Sequence, residues 1–334
     1  MTAKRHHTVP QLLLCRFTDE NGLVRVVERD DFSKWFETGT VGALAEKHFY
    51  TIETETGPDV GIEEDLFARR VEAPAARALR RVVDEGRFPP MPGLRETLSI
   101  FFAFQFVRGP GVRAALLAHY DAFAKMRASG ATPEMVRRYV KENDDGSPLS
   151  DDDVQELLGT LHDTSSWRVV PNSEANHHLG IVLPMVLDLV PHFEERQWHL
   201  ISFPSPMLVT GDEPIGLVGR AVSPGDDVLG IKTASEIVVP VDPMHAFLLA
   251  PAPRSTAELR LTGTPKMAQI INNHVGYACH RYLVHRAGTE PLRGLTLARK
   301  GSHVRVQGDT LMLSPRPRRQ RRRLGLDVSQ QGRR

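Results

Sequence analysis

The chain has 334 residues, 41% of them hydrophobic and 25% charged, a balance that excludes a disordered protein and allows a large core without metals or disulfides. Its formal net charge of +1 hides an asymmetry: eight arginines and one aspartate follow Pro315, so the rest of the chain is net acidic, unlike a uniformly basic nucleic-acid binder. Two cysteines, Cys15 and Cys279, are too few and too far apart for a disulfide framework or a thiol metal site, and their apolar settings predict two small buried hydrophobes in a reducing compartment.

No stretch of about 18 apolar residues occurs, and the run Leu12–Cys15 is too short for a signal core, so the expectation is a cytoplasmic chain with no membrane segment. Pro10–Arg16 predicts a short helix opened by proline. Leu23–Glu28 is rich in valine and predicts a strand after the Asn21–Gly22 turn, with Lys47–Glu53 a second strand. Ile62–Gly86 has helical spacing, with Pro74 kinking it or starting a second helix. Leu94–Arg108 predicts a buried helix closed by Gly109–Pro110, and Val112–Ala128 and Pro133–Glu142 are further helices.

Asn143–Asp153 is acidic and turn-rich, a linker or a long loop. Ser150 is placed to cap a helix over Asp151–Leu161, whose acidic first turn suits the helix dipole. Ser173–Arg196 is helical with interruptions at Pro184 and Pro191. Trp198–Phe203, Met207–Thr210, Glu236–Val241 and Ala246–Ala250 read as strands, Thr264–His285 as a helix, and Leu295–Leu313 as further strands. The fold class is therefore α+β, with a central helical region and short strands near the N-terminus and in the C-terminal third. One domain is expected over residues 1–314, subdivided if anywhere near 143–153, and a basic disordered tail over 315–334.

No phosphate-binding loop, dinucleotide fingerprint, nucleophile elbow, H-E-x-x-H or C-x-x-C is present. Glu174 and His177 form a single E-x-x-H on one helix face, where a carboxylate-bridged metal site would use two copies. Arg113 and His119 have a spacing found in some helical ribonucleases, but Ala114 stands where a polar residue is usual. The metal question is open at this point, with a divalent ion the option to test.

His7–Phe17 (HTVPQLLLCRF) resembles the opening H-x-V-P-Q-F-x-L-R-x-F of the bacterial family domain of unknown function 4238. Val71–Glu72 is similar to that family's Ile-Glu position, and Gln105–Pro110 (QFVRGP) to its Q-x-x-R-T-P. Trp198–Leu200 with Val209–Pro214 (VTGDEP) is similar to its W-x-L and T-S-D-x-P, Val239–Pro243 (VPVDP) to its F-P-L-S-P, and Asn272 to a helical asparagine. Gly109, Gly211 and Asp242 depart from the pattern, which usually has threonine, serine and serine there. The resemblance implies a fold over about residues 7–285 and supplies no reaction.

These positions are polar residues in or beside apolar segments, so they are the candidate site. His7, Glu72, Arg108 and Asp212 are the expected catalytic residues, converging on one cavity, and Gln105 and Asn272 the expected substrate-binding residues. The alternative for Arg108 is a structural salt bridge with Glu72, and for Asp212 a turn cap. The functional expectation is a hydrolase acting on a phosphodiester or other anionic substrate, nucleic acid included. The alternative is a non-catalytic binding or regulatory protein. The tail SPRPRRQRRR would attract nucleic-acid phosphates without reading sequence, or else be a solvated terminus. Between Arg316 and Arg323 it has no apolar side chain except proline, so truncation after Pro315 should leave the melting temperature within error, and a drop of several degrees would show that it packs on the body.

Overall fold

The computed structural model describes residues 5–143, 149–219, 230–252, 257–297, 304–307 and 310–313. The basic tail and most of the acidic linker lie outside the described residues. In chain order the elements begin with β1 (Arg5–His7), α1 (Gln11–Arg16), β2 (Leu23–Glu28), β3 (Asp31–Gly39), β4 (Ala45–Lys47), β5 (Ile52–Thr54) and β6 (Gly57–Asp59). Two π-helical stretches, Glu63–Glu72 and Arg80–Asp84, then flank α2 (Ala73–Leu79). They are followed by α3 (Pro92–Val107), α4 (Pro110–Ser129), α5 (Pro133–Asn143), α6 (Asp151–His162) and α7 (Glu174–Glu194). The last third holds β7 (Gln197–Ser202), β8 (Thr210–Gly211), β9 (Gly216–Val218), β10 (Glu236–Asp242), β11 (His245–Ala250) and β12 (Arg260–Thr262). It closes with α8 (Pro265–Ala278), β13 (Tyr282–Arg286), β14 (Val304–Gln307) and β15 (Thr310–Leu313). The class is α+β with helices central and strands at the two ends.

The chain divides into two compact units, the larger holding the described residues before 113 and those of 175–297, the smaller holding 113–174 and the β14–β15 hairpin. In the larger unit one sheet has the order β12-β7-β11-β10-β9 and a second the order β3-β2-β13-β8. All their pairings are antiparallel except β12 with β7. Strand β7 is buried along almost its whole length, as Trp198, Leu200 and Ile201 require. Phe102 of α3 stacks on Trp198 at 5.5 Å between ring centroids and tilts against Phe247 of β11 at 5.6 Å. That aromatic contact seats the apolar helix α3 on the five-stranded sheet.

The smaller unit has its own core of Val136, Val154 and Leu158. Ser150 caps α6 as expected, within a capping box completed by Asp153. Among the described residues no single helix is long and apolar enough to cross a membrane.

Four expectations need correction. Lys47–Glu53 is not one strand: His48 has φ +55°, which ends β4, and β5 starts only at Ile52. Met207–Thr210 forms a strand only from Thr210, because the N–H groups of Met207 and Leu208 both go to the Pro243 carbonyl. Thr264–His285 is a helix only to Ala278. Cys279 turns extended at ψ 137°, and the following residues form β13, a central strand of the second sheet. Cys15 is exposed rather than buried, because the short helix α1 turns Leu13 and Leu14 inward and leaves Cys15 on the other side; Cys279 is buried, and neither cysteine is in a disulfide. Strand β3 was not anticipated at all, since its middle, Ser33–Glu37, is exposed and lacks an apolar alternation.

His199 of β7 and His285 of β13 are 3% and 2% exposed. Burial holds both imidazoles below their ordinary value of 6.5. The unfolded chain then takes up protons that the folded chain refuses. The stability tied to these neutral rings is whole above pH 6.5 and is lost as the pH falls from there. The melting temperature is therefore expected to decline between pH 7 and pH 5 by calorimetry, with a shallower decline in His285→Gln.

Candidate functional site

Arg108 ends the apolar helix α3 and is 1% exposed. A guanidinium there must spend its donors on protein groups. Nη1 donates to Glu72 Oε1 at 2.7 Å, Nη2 to the carbonyl oxygen of His7 at 2.7 Å, and Nε to the Tyr50 hydroxyl at 3.2 Å. The Tyr50 hydroxyl in turn donates to the Arg108 carbonyl at 3.0 Å. The guanidinium also lies 4.8 Å from the Phe67 ring centroid. Burial works against its charge, but the Tyr50 hydroxyl and the Glu72 carboxylate outweigh that and hold it firmly protonated.

His7 meets this network through its backbone. Its N–H donates to Glu63 Oε1 at 2.6 Å, while its ring lies 3.8 Å from that carboxylate and 3.3 Å from the Gln11 amide nitrogen. Burial pushes Glu63 up, and the bonds from His7 overcome it and hold the carboxyl low. His7, Glu72 and Arg108 are thus brought together, with each of the three guanidinium nitrogens of Arg108 bonded to a protein partner.

Asp212 is not among them. Its carboxylate accepts the backbone N–H groups of His280 at 2.7 Å, Arg281 at 2.6 Å and Tyr282 at 2.9 Å. Those are the donors freed where α8 ends and β13 begins, so Asp212 builds that junction. Burial raises its carboxyl, and the three donors pull it back only in part. The neighbouring Glu213 was missed by the sequence reading. It accepts from Gly111 N at 2.7 Å and Val112 N at 3.3 Å, satisfying the first turn of α4. A Cβ at residue 109 would collide with the Glu213 carboxylate, and one at 211 with Cys279 and the Tyr282 carbonyl, which accounts for glycine at both departures from the family pattern.

Asn272 is equally structural: it accepts from Val209 N at 3.1 Å and donates to the Met207 and Pro291 carbonyls at 2.8 and 3.2 Å. Gln105 is buried on α3 with both amide atoms lacking a partner among the described residues. The ring of His119 is bonded to the Ala115 carbonyl on its own helix. Among the described residues no group of three or more His, Cys, Asp or Glu side chains is placed to hold a metal ion, Glu174 and His177 included.

The accessible chemistry lies elsewhere in the larger unit. An open cleft of about 350 Å³ is lined by Arg16, Pro206, Asp242, Pro243, Met244, His245 and Arg286. Asp242 and His245 face each other across the tight β10–β11 turn. His245 Nδ1 lies 2.9 Å from each Asp242 oxygen, and Asp242 also accepts from Met244 N at 2.8 Å. His245 Nε2 has no hydrogen-bond partner among the described residues. Arg16 Nη2 reaches Asp242 at 3.0 Å, the two Nη atoms clamp Asp84 at 3.0 and 2.7 Å, and Nε donates to the Val241 carbonyl. Burial pushes Asp242 up, yet the bonds from His245 and Met244 and the charge of Arg16 prevail and keep it ionised well into acid. A carboxylate-oriented imidazole with a free nitrogen can take a proton from a bound hydroxyl or water. The signal in the sequence was D-P-M-H, a carboxylate and an imidazole three residues apart across a proline turn.

The family model described as "Protein of unknown function (DUF4238)" matches residues 5–289. No curated protein and no solved structure matches the chain.

Two substitutions separate structural from catalytic polar groups. Arg108→Met, which strands Glu72, is expected to cost about 3–5 kcal/mol in urea unfolding. Asp212→Asn, which turns an amide towards backbone donors, should cost about 1–3 kcal/mol. Unchanged unfolding midpoints in both would show that these groups do not hold the fold.

Proposed function

The chain belongs to the DUF4238 family, and we propose that it is a hydrolase of an anionic ester, a phosphodiester among the candidates, acting at the cleft between α1, the β10–β11 turn and the end of β13. The observation that carries this reading is the Asp242–His245 pair lining an open cleft with Nε2 of the imidazole uncommitted. In this reading His245 is neutral, donates Nδ1–H to Asp242, and accepts a water proton at Nε2 as the oxygen attacks the ester centre. Asp242 steadies the imidazolium, and the same Nε2 proton passes to the departing oxygen as the ester bond breaks, so the ring returns to its starting state. Among the described residues neither serine, threonine nor cysteine lines the cleft, which favours direct attack by water over a covalent intermediate.

A panel of phosphomonoesters, phosphodiesters and carboxylic esters, assayed with and without chelator, tests the proposal. Hydrolysis of at least one is expected, with His245→Gln lowering kcat by about 10²–10⁴ at an unchanged melting temperature. An inert panel returns the protein to the class of non-catalytic binding proteins, and a fully active His245→Gln removes His245 as the base and with it this site.

A further inference from the structure

The two arginines of the cleft are not equivalent. Arg16 has spent Nε and both Nη groups on Val241, Asp84 and Asp242. Its charge is answered by two carboxylates, one of them only 13% exposed. Arg286 uses two of its five N–H donors, Nη1 to the Thr18 carbonyl at 2.9 Å and Nη2 to Glu20 Oε2 at 2.6 Å. The carbonyl fixes the guanidinium at the cleft wall. The carboxylate is 77% exposed, on the turn between α1 and β2, and a pair that open to water is held weakly. Arg286 is therefore the cation of the cleft whose remaining donors are free to a ligand and whose one bonded carboxylate is easily displaced, with Asp19 feeling its charge at longer range.

We propose that Arg286 is the anion subsite of this cleft, receiving a ligand oxyanion of the phosphate or carboxylate type, and that Glu20 occupies the subsite in the free protein and gives way on binding. The inference rests on the cleft being the ligand site and assigns the ligand's charged group to one residue. A guanidinium fork binds either oxyanion through two parallel N–H···O bonds, which a single carboxylate oxygen of Glu20 does not use in full. Glu20 thereby sets an affinity threshold, since an incoming anion must outcompete a tethered one.

The test is titration of the full chain with inorganic phosphate and, separately, with acetate, at constant ionic strength, followed by calorimetry or amide chemical shifts. Glu20→Gln is expected to tighten binding of the preferred anion about threefold, because a weak exposed competitor is removed. Arg286→Gln should weaken it at least tenfold, with Arg286→Lys intermediate, and melting curves confirm that each variant is folded. The anion that binds more tightly identifies the ligand's charged group. Equal affinity in wild type and Glu20→Gln, or retained binding in folded Arg286→Gln, overturns the proposal, as does failure of both anions to bind. Loss of hydrolysis on every ester with these shifts intact removes the reaction and keeps the subsite. Hydrolysis with unmoved affinities does the reverse.

Discussion

A full positive charge sits at the end of the most apolar helix of the chain, and much of the larger unit is arranged around that fact. Arg108 cannot reach water, so a carboxylate from the π-helical stretch, a backbone carbonyl from β1 and a tyrosine hydroxyl are brought to it. Each partner comes from a different segment of the first third of the chain. The cost of burying the ion is offset only when all of them are in place. The pairing therefore specifies how β1, the Tyr50 segment and Glu63–Glu72 assemble on α3, beyond any stability it adds.

The turn after Arg108 carries the same logic to the second sheet. Asp212 and Glu213 are adjacent, yet they serve different clients: one collects the donors at the start of β13, the other the donors at the start of α4. Two consecutive carboxylates thus stitch a strand end and a helix end together. In such a place charge is needed for geometry, and catalytic use would compete with it.

The long elements were legible because their patterns are strong: the apolar run of α3, the valines of β2 and the capping box of α6 all fall where periodicity and capping place them. The helix α8 was overextended because nothing in GYACHRY marks a stop. The stop comes from Asp212, about seventy residues away, which takes the three N–H groups that a helix would have used. Within the candidate site, Glu72 and Arg108 were found as a pair because a buried arginine demands an acid, and the bland alternative named for them describes their geometry. The Asp242–His245 pair is not legible from the related pattern, because Asp242 stands where that pattern has serine.

The Asp242–His245 pair is encoded within four consecutive residues, since a hairpin of two residues brings its flanking positions opposite each other. Its geometry is inherited from a turn and owes little to the distant packing that positions Arg108. Reactivity of this kind can be gained or silenced by one change at residue 242 while the sheet, the turn and the Arg16–Asp84 clamp persist. The pair and the architecture in this molecule are thus separable traits, and chains sharing its scaffold need not share the pair.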